Sequence, residues 1–204
     1  MFHPRAIIFI IFILGSLALL QCGTETTTNG NNDRSADLYQ SNKEMAALLE
    51  RISEETDPRL NYSMNRKMVQ ILQREMESES NPQKKFTLKV DYAKQLLFAG
   101  QTEQAIKEFE AIISILGGLD KLLNEKHKGL LDLYAVAYLR LGEQQNCVEN
   151  HTSASCIVPL QQEGFHKIET GSRKAIDIYS TILEAFPDDA ESKWLINIAY
   201  MTLG

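Results

Sequence analysis

Apolar residues in this chain form one unbroken run near the start and then stripes at helical spacing. The run, Ala6 to Leu20, is 15 residues long and follows Arg5. It has the size of a signal-peptide core and is short for a membrane span of ~20 residues. Gly23 to Ser35 are Thr-, Asn- and Gly-rich and have nothing to bury, so a flexible tether is expected there. From Ala36 the spacing is helical, and Met45, Leu48, Leu49 and Ile52 form one face of a first helix. Asp57-Pro58 reads as a helix N-cap with proline in the first turn. Met64, Met68, Ile71, Leu72 and Met76 follow on one stripe, best read as an adaptable core face rather than a soft metal surface. Ser78 to Gln83, with Pro82, breaks the chain. Phe86, Leu88, Val90 and Tyr92 alternate as a strand would, but run without a turn into Ala93–Leu97, so a helix is expected.

The next stripe decides the fold. Ala105, Ile106, Phe109, Ile112, Ile113 and Leu116 recur 70 residues later as Ala175, Ile176, Tyr179, Ile182, Leu183 and Phe186. The helices before these stripes also match: they close at Gly100, Gly142 and Gly204, with Ala93, Ala135 and Asn197 seven residues earlier and Leu96, Tyr138 and Tyr200 four residues earlier. Together these positions resemble the tetratricopeptide repeat, a helix–turn–helix unit. Pro187 fits the proline that ends such a unit, whereas Ile112 and Ile182 stand where a small residue is usual. The resemblance implies an all-α, tetratricopeptide-like solenoid of helical hairpins over residues 36–204.

That register exposes an insertion. Gly142 to Ala175 spans 33 positions where Gly100 to Ala105 spans five, so about 28 residues, roughly 144–171, interrupt one turn. The last repeat, 190–204, holds one helix, and its Trp194, Leu195, Ile198 and Ala199 form an apolar face to be covered. The expectation is that the chain is the N-terminal piece of a longer protein or a truncated gene product.

Composition narrows the function. The charge is −6, from 21 basic and 27 acidic residues, which argues against a nucleic-acid binder. Leu19-Leu20-Gln21-Cys22 resembles a bacterial lipoprotein processing site, although Gln21 is larger than the residue usual before the cysteine. Residues 1–21 are therefore read as a lipoprotein-type signal peptide, Cys22 as the lipidation site and 22–35 as the tether. An uncleaved anchor helix and an ordinary secretion signal are the alternatives. All three place the body outside the cytoplasm, and an acidic body would meet the membrane through the lipid alone.

The insertion holds the candidate chemistry. With Cys22 lipidated, Cys147 and Cys156 remain as a pair, which in an oxidising compartment favours a disulfide. Cys147, His151, Cys156 and His166 could instead bind zinc or copper, or handle haem, but Cys-x3-His-x4-Cys-x9-His is no trusted metal-finger spacing. Free thiols are the third possibility. Ser153 and Ser155 beside His151 and Glu149 do not suggest a hydrolase, because a triad is normally assembled from separate elements. No catalytic motif stands out, so the chain is read as a non-enzyme without a resident cofactor.

Asn146-Cys147, His151, Cys156-Ile157-Val158-Pro159, Gly164-Phe165-His166, Gly171–Ile176 and Trp194–Gly204 together carry a further resemblance. They are similar to the N-terminal helical region of exported bacterial proteins with FG-GAP/VCBS propeller repeats and an ASPIC/UnbV domain, relatives of the cartilage acidic protein group. The resemblance implies export, helical repeats and a shared Cys/His insertion ahead of a β-propeller. It supplies no established activity and no calcium site for this segment. The partner it suggests is a protein or peptide, or the propeller itself.

Overall fold

The computed structural model describes residues 30–155 and 157–204. The signal peptide, Cys22 and Cys156 lie outside the described residues, so the readings attached to them are not addressed. Among the described residues there are seven α-helices and no strand, which establishes an all-helical architecture. No described helix is long and apolar enough to cross a membrane. The chain divides into two compact units after Thr56.

The first unit contributes α1, Gly30–Glu55. It starts ahead of Ala36, and its sequence-predicted face of Met45, Leu48, Leu49 and Ile52 is exposed to solvent. Thr56 ends it, with its amide and hydroxyl both donating to the Ile52 carbonyl.

The second unit, Asp57–Gly204, holds the core. Asp57 does cap a helical turn ahead of a proline, accepting a hydrogen bond from the Arg59 amide, but the turn is a three-residue 3-10 segment, Pro58–Leu60. The next helix, α2, starts at Asn65 and runs to Ser78. Val69 and Leu72 are buried on it, and Met68 and Met76 pack beside them, as a core-facing stripe requires. Helix α3, Pro82–Phe98, begins where Asn81 accepts hydrogen bonds from the amides of Gln83 and Lys84 and Pro82 supplies the pre-set first φ. The alternating segment Phe86–Tyr92 is helical, and the helix buries Tyr92, Ala93, Leu96 and Leu97.

Gly100 ends α3 with φ +78°, while the Gln101 amide donates to Leu96 O and the Gly100 amide to Leu97 O, a glycine C-cap that reverses the chain. Helix α4, Thr102–Ile115, then buries the predicted Ala105, Ile106, Phe109, Ile112 and Ile113. Helix α5 is Lys128–Glu143, α6 is Thr170–Ala185 and α7 is Ala190–Met201. Each helix from α3 to α7 packs against the one before it in sequence, and α5 and α6 remain paired across the long connection between them. Such neighbour-on-neighbour order is what short turns and amphipathic faces produce. Tyr138 donates to Glu110, joining α5 to α4, and its ring meets Tyr134 edge-on.

The expected helix end at Gly142 also fails. The repeat register has Gly142 closing its helix, as Gly100 does. Instead it sits inside α5, which continues through Glu143 into a π-helical turn, Gln144–Val148. The reason is packing: a Cβ built on Gly171 of α6 would lie 2.5 Å from Gly142 N and 2.6 Å from Tyr138 O. The two helix backbones cross at that point, so both glycines serve close approach rather than a turn.

Candidate functional site

The insertion folds back on the crossing of α5 and α6, and Asn146 governs both of its ends. The Asn146 amide nitrogen donates to Gly142 O at 2.8 Å and to Ile168 O at 2.9 Å. Its carbonyl oxygen accepts from the Ile168 amide at 2.9 Å. A single buried side chain thus pairs with both backbone groups of Ile168, tying the exit of the loop to its entry. Farther out, Thr152 and Ser155 bond to each other, the Thr152 hydroxyl donates to Glu163 O, and Gly164 lies so close to Ala154 O that a Cβ would reach 2.7 Å from it.

His166 is the centre of the fold-back and is only 6% exposed. Its backbone amide donates to Thr202 O at 2.8 Å, which joins the loop to the end of α7. Its ring contacts Ser172 Oγ through Nδ1 at 2.9 Å and faces Cys147 Sγ through Nε2 at 3.7 Å. The Thr202 hydroxyl donates to Ser172 Oγ at 2.6 Å and lies 2.7 Å from Ala199 O. Burial lowers the His166 pKa from its ordinary value, and the Glu143 carboxylate only partly opposes this, so the ring is neutral at neutral pH. The absence of a Cβ at Gly142 makes room for the ring: one built there would lie 3.2 Å from Nδ1.

Of the four candidate Cys and His residues, the structure brings Cys147 and His166 to 3.7 Å from each other. His151 is exposed, and its Nδ1 lies 3.1 Å from the Cys147 carbonyl oxygen, not the sulfur. Among the described residues no group of three or more His, Cys, Asp or Glu side chains is gathered to hold a metal ion. Asn146, Ser172 and Thr202 stood within the segments that carry the family resemblance but had no assigned role; their meaning shows only once α5 and α6 are crossed and the end of α7 is brought beside them.

A second polar knot lies at the opposite ends of these helices. Lys128 Nζ is 2.9 Å from Asp132 Oδ2 and 2.9 Å from Asp189 Oδ2. Burial works against the Lys128 charge, but its hydrogen bonds to the Asp189 and Asp132 carboxylates more than offset this and raise its pKa. Asp189 also caps α7 through the Ser192 amide at 3.2 Å. The Ser192 side chain, Lys128 and that amide hold the Asp189 carboxyl below its usual range.

The body also carries an open groove of about 600 Å³, walled by Tyr62, Leu97, Phe98 and Val136 with Arg140 at its edge. Tyr62 is 95% exposed and Phe98 55%, and on α7 Trp194 is 64% and Tyr200 53% exposed. Compared with known protein families, curated proteins and solved structures, the chain matches none.

Proposed function

We propose that this chain is a non-catalytic, lipid-anchored protein-binding module of the bacterial cell envelope. In this reading α2 to α7 stack as tetratricopeptide-like hairpins, and the insertion is a decoration clamped onto one bend. The signal-like run and Cys22 tether the module to a membrane, and the module precedes a propeller in a longer polypeptide. The observation that carries the binding role is the exposure of Tyr62, Phe98, Trp194 and Tyr200 on the helical body. Aromatic side chains left in water on a rigid scaffold are the residues that most often anchor protein contacts. The partner is a protein or peptide with apolar side chains to fill the groove or cover α7. The test is co-purification from membranes solubilised in mild detergent. The reading requires a partner retained by the wild-type chain and lost with Trp194→Ala or Phe98→Ala. Retention of nothing, or retention indifferent to both substitutions, counts against it. Genomic sequence continuing in frame into propeller repeats supports the longer polypeptide.

The approach of Cys147 Sγ to His166 Nε2, 3.7 Å, favours a second reading, an exported protein that handles zinc, copper or haem through Cys147, His151, Cys156 and His166. Elemental analysis of protein purified under reducing and oxidising conditions separates the two. Metal-free protein with a quantitative Cys147–Cys156 bridge removes the second reading.

A further inference from the structure

Helix α1 presents an unusual surface: every residue from Asp37 to Ile52 is exposed, apolar ones included. Leu38, Met45 and Ile52 recur at intervals of seven, with Leu48 and Leu49 between them, and these five side chains are 38–60% exposed. A helix gains most of its stability from an apolar face packed on a neighbour, and a seven-residue apolar repeat is the pattern that packs on another helix. Placing Leu38, Met45 and Ile52 at the first core position of the heptad puts Leu48 at the second core position and Glu44 and Arg51 at flanking positions.

The charges select the partner and its direction. We propose that α1 pairs antiparallel with α1 of a second copy of this chain, with Met45 of each copy against Leu48 of the other. In that register Glu44 faces Arg51 of the second copy, and symmetry repeats the pair. A slip of one heptad in either direction sets Glu44 against Glu44 or Arg51 against Arg51. A parallel pair would place Glu44 beside Leu49 and Arg51 beside Thr56, forming no ion pair at all. Only the antiparallel, centred arrangement both buries Met45 and Leu48 and matches opposite charges. Within one helix, Glu44 and Arg51 are seven positions apart and too distant to be neighbours. An ion pair between these two residues therefore forms only between copies.

Sedimentation equilibrium of the full chain in density-matched detergent tests this. The wild type should have twice the chain mass. Glu44→Arg should give the single-chain mass, because the introduced guanidinium would then face Arg51 of the other copy. Glu44→Arg combined with Arg51→Glu should restore the doubled mass. A monomeric wild type, a dimer indifferent to Glu44→Arg, or failure of the double substitution to restore it overturns the proposal. The second outcome would place the contact elsewhere, in the apolar leader or in the helical body.

Discussion

Gly171→Ala is the sharpest test of how α5 and α6 meet. The added methyl would lie 2.5 Å from Gly142 N, 2.6 Å from Tyr138 O and 2.8 Å from Gly142 Cα, all backbone atoms. No rotamer relieves such contacts, so the helices must separate by about 1 Å, a gap that forfeits a quarter to a half of the attraction at each facing atom pair. Overpacking of this kind costs about 1–3 kcal/mol or somewhat more. Alanine returns up to about 1 kcal/mol of helix propensity. The net expectation is a loss of about 1–2 kcal/mol, or roughly 2–8 °C in Tm for a chain of this size. The assay is thermal and urea unfolding by circular dichroism, with Gly129→Ala as the matched control. A Cβ at Gly129 in α5 meets nothing within 4 Å, so that variant should gain up to about 1 kcal/mol. Equal behaviour of the two variants would show that the helices do not cross at Gly142 and Gly171.

Three other perturbations follow from the two polar knots. Asn146→Ala strands both backbone groups of Ile168 and should cost about 2–3 kcal/mol in urea unfolding; Asn146→Asp keeps the acceptor but sets a carboxylate oxygen against carbonyls, and should recover none of the loss. His166 has a folded pKa below its unfolded value, so its neutral form contributes fully above about pH 6.5 and the contribution is lost as pH falls from there toward the folded pKa; Tm should drop in that window for the wild type and less for His166→Gln. Lys128→Met leaves Asp132 and Asp189 without their shared cation and should cost roughly 1–3 kcal/mol at neutral pH. The wild-type advantage should be lost as pH falls below about 4, through the depressed folded pKa of Asp189, as seen in a Tm series against pH.

The helices were legible because burial on one side imposes a period, and the period survives in the letters. Ala105, Phe109 and Ile112 are all fully buried, as are Ala175, Tyr179 and Ile182, and the strand-like alternation of Phe86–Tyr92 gave way to the unbroken run that follows it. The Cys147–His166 approach was legible as an inventory of reactive side chains in one segment. Asn146 was not, because its partners at the loop exit are backbone groups 22 residues away, and any residue type could have supplied them. Gly142 misled for a related reason. A glycine needed for φ and a glycine needed for space are the same letter, and only Gly171 opposite distinguishes them. The apolar stripe of α1 is plain in the letters, but they do not say what it meets.

The insertion poses an energetic question that its clamp answers. Lengthening the turn between paired helices from five positions to 33 costs only about 1.7 kcal/mol in closure entropy, since that cost grows with the logarithm of loop length. Three hydrogen bonds through buried Asn146 are together of at least that size, at about 1 kcal/mol each. Joining Ile168 to Asn146 converts the long excursion into a short effective connection, so α6 meets α5 much as α4 meets α3. The amide of His166 then ties the same loop to Thr202, so the segment that interrupts the stack also holds its last helix. Loosening the clamp at Asn146 should therefore expose α7 before it exposes α4, an order that hydrogen exchange at the α7 amides would reveal.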